Sequence, residues 1–346
     1  MDEAQKEVSG RLYGRKWKIV IYKPAYKEDK TRDTENDIAM DVSLLRCVFK
    51  TQHSNETAAT ICTLEVYNMN ADTEAEVIKA GFQISIEAGY EEGQYGEIFT
   101  GDVVQVIRNR ENGIDYKLEI IAIKGNMLFD GNHVRSVVAA GSDPRMVAKD
   151  VSEKAVVKLD LGEVSDNLSK QKLPRGKVLF GTPEKYLRDL CIANNAYYWT
   201  GTDDKLVIKK VADQIPADQC LVLSPGNPES KEPNMGGLVG TPQYGDDGIQ
   251  IKILMDARVK TLSMVKIDNE WIRKQLININ LNEKGQASKP IPQQSQFDKD
   301  GEYQVFAVAH QGDTHGNEWY TNIVGVGRNG RSGLLTVQDD KEQVER

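Results

Sequence analysis

Long apolar runs are missing from this sequence. Nothing in it approaches the ~18 consecutive apolar residues that a membrane-spanning helix needs, so helical membrane spans are not expected. The opening MDEAQKEVSG has no apolar segment of the kind a secretory signal carries, and no such signal is expected. Cysteine is scarce: Cys47, Cys62, Cys191 and Cys220 are the only four, and none sits in a CxxC. With no signal the compartment is expected to be reducing, so buried free thiols are expected ahead of disulfides or zinc ligands. An excess of positive charge is also missing. The chain has 44 Lys and Arg against 52 Asp and Glu, a net charge of −8, and a pI of about 5.3. A protein that coats nucleic acid generally is basic, so that role is disfavoured, although a local basic face stays open. HExxH, GxxxxGKS/T and GxSxG are absent as well.

What is present is a soluble, globular composition, 39% hydrophobic and 28% charged over 346 residues. Single cores stop growing near ~250–300 residues, so two or three domains are expected. The first ~125 residues read as β. Trp17–Ile21 is a short apolar strand, and a second apolar stretch runs from Asp41 to Lys50. Cys62, Leu64 and Val66, then Phe82, Ile84 and Ile86, alternate with more polar residues, which places one face in a core. Val103–Ile107 and Tyr116–Ile123 read as a hairpin whose connection is the polar Arg108–Gly113. Charge-dense 27–37 reads as a solvated loop, with contact to a neighbouring subunit as its alternative. Asn70–Ala80 reads as a short helix capped by Asp72 or Thr73.

The middle changes character. Ser142-Asp143-Pro144 and Thr182-Pro183-Glu184 each start a helix, the first running to about Lys154. Leu187, Leu190, Cys191 and Ala193 have helical spacing in the second. The aromatic strand Ala196–Trp199, a turn at 201–204 and a returning strand Leu206–Ile208 complete a small α+β insert over ~142–212. A Pro- and Gly-rich crossing, 224–242, leads back to β pattern, with Ile249, Ile251, Ile253 and Met255 alternating along one strand. Polar 282–300 reads as a loop, and Tyr303–Ala309 with Trp319–Val326 as a hairpin turning through His310–Asn317. This hairpin echoes 103–123, which is explained either by chance or by two related β domains. Residues 339–346 are charged and expected to fray.

Gly325–Gly330 fits GxGxxG, but only 16 residues follow it, too few for the βαβ unit of a dinucleotide site, so it reads as a loop at a strand end. His310, Asp313 and His315 are metal-ligand types that read better as turn residues; His53 and His133 are isolated. Tyr197–Trp199 suits a sugar- or base-stacking platform, with a core or interface strand as the preferred reading. No acid/base carboxylate pair stands out, and a glycosidase pair, being set by the fold, stays open. No catalytic residue, metal ligand or cofactor is expected.

Taken in order, several segments resemble phage baseplate or tail hub proteins, the gp27-like family shared with contractile injection machines. They are Leu44–Lys50, Ala59–Asn68, Gly81–Tyr90 and Ile98–Val103, then Gly240–Pro242, Gly248–Ile251, Arg258-Val259, Gly301–Val305, His310–Thr314 and Trp319–Thr321. The insert at 182–210 also resembles the family's middle domain. The resemblance implies a β-rich α+β fold with two β-barrel-like tail-hub domains flanking a small α+β insert. The boundaries it suggests are 1–130, 131–215, 216–330 and a charged tail, 331–346.

It also implies a role. A homotrimeric ring would adapt a six-fold tail tube, or a distal tail protein, to a three-fold central spike or fibre. The ring would surround a channel for DNA, passing without specific binding, and for the tape-measure protein. The chain would then be a virion component assembled in the host cytoplasm, not a membrane protein and not an enzyme. Because the chain stops soon after Trp319-Tyr320-Thr321, a separate spike is implied. Open sheet edges are a liability, so subunits are expected to pair through edge strands. The expected contacts are Trp17, Ile19, Ile21, Ile249, Ile251 and Ile253. Two alternatives stand beside this reading: a cell-wall or polysaccharide hydrolase, and a carbohydrate-binding tail component using Tyr197–Trp199.

Overall fold

The structure, a computed structural model, describes residues 14–24, 37–54, 59–78, 81–91, 94–111, 113, 115–128, 131–201, 205–210, 213, 221–223, 237–245, 248–267 and 301–327. The loop expected at 27–37 except Asp37, nearly all of 201–204, most of 224–242, and 282–300, 339–346, Gly330 and Cys220 lie outside the described residues.

The N-terminal part is built from alternating strands. β1 (Arg15–Lys23), β2 (Ile38–Asp41), β3 (Cys47–Ser54) and β4 (Thr60–Tyr67) come first. Helix α1 (Ala71–Val77) follows, then β5 (Gln83–Tyr90), β6 (Gly96–Glu111) and β7 (Asp115–Lys124). In β3 the alternation buries Cys47, Phe49 and Thr51, and in β5 it buries Ile84, Ile86 and Ala88. Antiparallel pairing sets Phe49 opposite Leu64 and Ile19 opposite Ile86, so these faces meet in one core.

The insert has its own core, made by Leu179, Leu187, Ile208 and their neighbours. It holds β8 (Val134–Val138), α2 (Pro144–Lys154), β9 (Leu161–Val164), β10 (Lys177–Gly181), α3 (Pro183–Asn194), β11 (Ala196–Thr200) and β12 (Leu206–Lys210). β8 and β10 pair as a two-stranded sheet, and β11-β12-β9 form a three-stranded one. Asp143 caps α2 by accepting from the Met146 N–H at 2.9 Å, with Pro144 in the first turn.

The C-terminal part returns to the first sheet. β13 (Leu221–Leu223), β14 (Gln243–Gly245), β15 (Gly248–Leu254), β16 (Met264–Ile267), β17 (Glu302–Asp313) and β18 (Trp319–Gly327) join it. A third core packs Ile249, Ile251, Val305 and Tyr303. The main sheet has 13 strands, ordered β14-β15-β18-β17-β3-β4-β7-β6-β5-β1-β2, with β16 beside β17 and β13 beside β16.

The β-rich α+β class stands, but the barrels do not close. The two β regions share one open sheet, whose outermost strands among the described residues are β2, β14 and, on the branch through β16, β13. The seam is β17 against β3, where Val308 faces His53 and Gly312 faces Phe49.

Several local expectations change. β6 runs to Glu111, so Arg108–Glu111 are strand rather than connection. Arg108 is held there by Glu74 at 2.7 Å, and Arg110 lies over the Tyr116 ring on the paired strand. β17 runs to Asp313, which moves His310 from an expected turn into a buried strand position. Pairing with strands on both sides outweighs the local polar composition. The segment 41–50 is broken by a turn that leaves Leu44 96% exposed. α1 is capped by Asn70, not Asp72 or Thr73, because Asn70 is the last extended residue and its Oδ1 accepts the Asp72 N–H. Thr182 precedes α3 without a side-chain cap bond.

Gly312 is required by close approach. A Cβ there would lie 2.4 Å from Phe49 Cζ and 2.9 Å from Trp319 Cε3, both ring atoms in the core. Gly312→Ala is therefore expected to cost at least ~1–3 kcal/mol by overpacking. Urea unfolding checks this, and an unchanged midpoint would contradict the packing described.

Candidate functional site

The region where the two β parts lock together is organised by Trp319. β18 begins with this residue, and it is fully buried in the N-terminal core. Trp17 and Phe49 meet its ring edge-on at 5.8 and 5.6 Å between centroids. Its indole N–H donates to the Gly89 carbonyl at 3.2 Å. The Arg15 guanidinium lies 5.6 Å from the ring centroid and donates to the carbonyls of Gly316 and Asn317. One side chain thus joins β1, β3, β5 and β18.

The turn beside it closes a polar latch. Arg46 donates to Asp313 at 2.9 Å, and the His315 N–H donates to Asp313 Oδ1 at 2.9 Å. Burial works to raise the Asp313 pKa. The Arg46 and backbone donors outweigh it and hold the carboxyl below its ordinary value. The Cys47 N–H donates to Thr314 Oγ1 at 2.9 Å, and the Thr314 N–H donates back to the Cys47 carbonyl at 3.0 Å.

A cavity of about 110 Å3 lies where the two β parts meet the insert. His53, Glu97, Lys124, Trp199, Thr261 and His310 are among the residues that line it. His53 Nδ1 contacts Thr60 Oγ1 at 3.0 Å, and His310 Nδ1 contacts Thr321 Oγ1 at 2.9 Å. Burial pushes His53 down to about 4, with the Lys124 charge adding to it. Burial likewise pushes His310 down to about 4, against a partly opposing Asp256. Both imidazoles are neutral at pH 7. His53 Nε2 is buried without a partner among the described residues, and the cavity has room for several waters that would satisfy it.

The residues expected at a subunit interface lie elsewhere in the sheet than its rims. Ile19, Ile21, Ile249, Ile251 and Ile253 are 0–2% exposed and packed inside this chain. Trp17 is part-buried; its indole donates to the Ser43 carbonyl, and its ring meets Trp319. β1 is flanked by β2 and β5, and β15 by β14 and β18, so the outermost strands are the next ones out, β2 and β14. Period-two alternation identifies a buried face; it carries no information on whether a strand is outermost.

The other motifs are absorbed into the fold. His310, Asp313 and His315 contact Thr321, Arg46 and Thr314, three separate partners. No group of three or more metal-ligating side chains occurs among the described residues. Gly325 and Gly327 belong to β18. Tyr198 is buried in the insert core, while Trp199 borders the cavity. Cys47, Cys62 and Cys191 are free and buried; burial pushes the Cys47 and Cys191 thiols up to about 12 and the Cys62 thiol higher still. Asp41 and Asp213, like Asp313, are held below the ordinary carboxylate value by hydrogen bonds, opposite to the raised value a general acid uses. No helix among the described residues is long and apolar enough to cross a membrane. Sequence reasoning missed the keystone role of Trp319 and the Arg46–Asp313 latch. The one visible signal was a tryptophan placed at a strand start inside a polar segment.

No protein-family model matches the chain, and no curated protein matches its sequence. Solved structures do match. The 43 kDa tail protein of prophage MuSo2 from Shewanella oneidensis is similar at a TM-score of 0.54 and 11% identity, over 90% of this chain and 97% of that one. The tail protein from Neisseria meningitidis MC58 is similar at 0.54 and 9%, over 91% and 97%. A chain of the half-lidded Francisella PdpA–VgrG complex is similar at 0.52 and 10%, over 91% of this chain and 58% of that one. Over about 90% of its length, this chain has the fold of phage tail proteins.

Proposed function

We propose that the chain is a tail hub, a structural protein without catalytic activity that works in the virion of a tailed phage or a related injection device. The observation that carries this reading is the extent of the fold match: 90% of this chain against 97% of a prophage tail protein. In this reading three copies close into a ring. Each open β2 edge pairs with the β14 edge of the next copy, which covers these two edges at once. The ring joins the tail tube, or a distal tail protein, to a central spike or fibre. The VgrG-containing complex among the similar structures supports a spike-side partner. The channel passes the tape-measure protein and DNA, and the net charge of −8 suits a lumen that does not grip phosphates. Assembly takes place in the host cytoplasm.

Native mass across a concentration series tests the ring. A species at three times 38.7 kDa is expected. A strict monomer at every concentration overturns it.

A further inference from the structure

One surface of the insert is out of keeping with a monomer in water. In the β8–β10 sheet, Arg135 pairs with Phe180, and Val137 pairs with Val178. One face, carrying Leu179, Val134 and Val138, packs into the insert core. The other face is bare: Val137 and Val178 are 70% exposed and Phe180 is 71% exposed. Scattered exposed apolar residues need no explanation, but three contiguous ones on a strand pair mark a docking surface. The charge beside them has one sign. The Arg135 guanidinium sits 5.7 Å from the Phe180 ring centroid, and Lys170, Lys172, Arg175 and Lys177 lead into β10 on exposed chain. No carboxylate occurs between Asn167 and Pro183. An aromatic with an arginine at the centre and charge at the rim is the make-up of an interface hot spot.

The chain's own charge distribution points to the occupant. Residues 131–215 carry 14 Lys and Arg against 11 Asp and Glu, whereas the rest of the chain carries 30 against 41. A basic insert in an otherwise acidic chain is complementary to another copy of itself, head to tail. A head-to-tail contact of this kind generates a ring when its rotation closes. We infer that the bare face of β8–β10, centred on Phe180 and Arg135, docks onto a second copy of this chain outside its insert. This inference rests on the ring reading and adds to its β2–β14 contact a second one, made by the insert.

The test uses the full chain. Native mass is followed over a concentration series for the wild type, for Phe180→Asp and for Val137→Thr/Val178→Thr, each beside its melting curve. Phe180 is exposed in the single chain, so an unaltered monomer fold is expected in every variant. Phe180→Asp is expected to raise the half-assembly concentration by about 30-fold or more. The threonine pair is expected to shift it in the same direction. Raising salt from 0.1 to 0.5 M is expected to weaken wild-type assembly by screening the charges. A trimeric wild type with both variants equally trimeric overturns the docking surface and leaves the ring standing. A wild type that stays monomeric fails the ring reading and this inference with it. Vesicles of phosphatidylserine and phosphatidylcholine form the last arm. Binding that Phe180→Asp abolishes, with assembly unchanged, assigns the face to lipid and overturns the proposal.

Discussion

Trp319→Ala is expected to destabilise the chain by about 3–5 kcal/mol, the range for deleting a large buried aromatic. Three losses combine at this position. The indole is fully buried among residues of the N-terminal core, although it is carried by the C-terminal hairpin. Two edge-on ring contacts, to Trp17 and Phe49, disappear with it. The indole's hydrogen bond to the Gly89 carbonyl is lost as well, a net contribution of about 0.5–1.5 kcal/mol. The space left by the indole lies on the seam between the two β parts, against Phe49 of β3, so unfolding is also expected to become less cooperative. Urea unfolding followed by tryptophan fluorescence and by far-UV circular dichroism measures both effects. Coincident transitions with a loss below ~1 kcal/mol would contradict the keystone role.

Mild acid is expected to weaken the same seam strongly. His53 and His310 lie on adjacent strands and are both held neutral, at about 4 in the folded chain against 6.5 as the ordinary value. A base with a depressed folded pKa binds its proton more readily when unfolded. Stability is therefore complete above pH 6.5, falls as pH drops below it, and levels off below pH 4. At 1.36 kcal/mol per unit, two such groups amount to about 4 kcal/mol lost between pH 7.5 and pH 5. Lys124 opposes a charge on His53, while Asp256 partly favours one on His310. The depressed carboxylates Asp41, Asp213 and Asp313 act in another window, since their contribution is lost only below their ordinary value of 3.8. Unfolding free energies at pH 7.5, 6 and 5 separate the two groups. The His53→Gln/His310→Gln chain is expected to be nearly flat over this range. A wild type that is equally flat would contradict the buried, neutral histidines.

What the sequence made legible follows from the range of the forces involved. Apolar composition marked β1, and period-two alternation marked β4, β5 and β15, because each of these exposes one face to a core and the other to water or neighbouring chain. Asp143-Pro144 marked the start of α2 because capping is decided within four residues. The ordered segments from Leu44 to Thr321 carried the fold resemblance, which the tail-protein structures bear out at the level of fold. The seam was not legible. β3 and β17 pair across about 260 residues of chain, as in the Arg46–Asp313 bond with its separation of 267, and no local pattern encodes such a partner. His310 looked like a turn residue because its neighbours are polar, yet Thr51 and Thr321 satisfy it inside the sheet. The six residues expected at an interface were placed on strands taken as sheet edges, and strand order is long-range: β1 and β15 each have a neighbour on both sides, and these residues pack in or against the chain's own cores. The bare face of β10 was not legible because KVLFG is too short for its pattern to show which face lacks a cover.

Imaging the purified chain at its assembling concentration by electron microscopy is the most direct test of a hub role. Class averages with three-fold symmetry around a central opening are the expected result. Isolated single-chain particles at every concentration, or closed two-fold pairs without a channel, would contradict it.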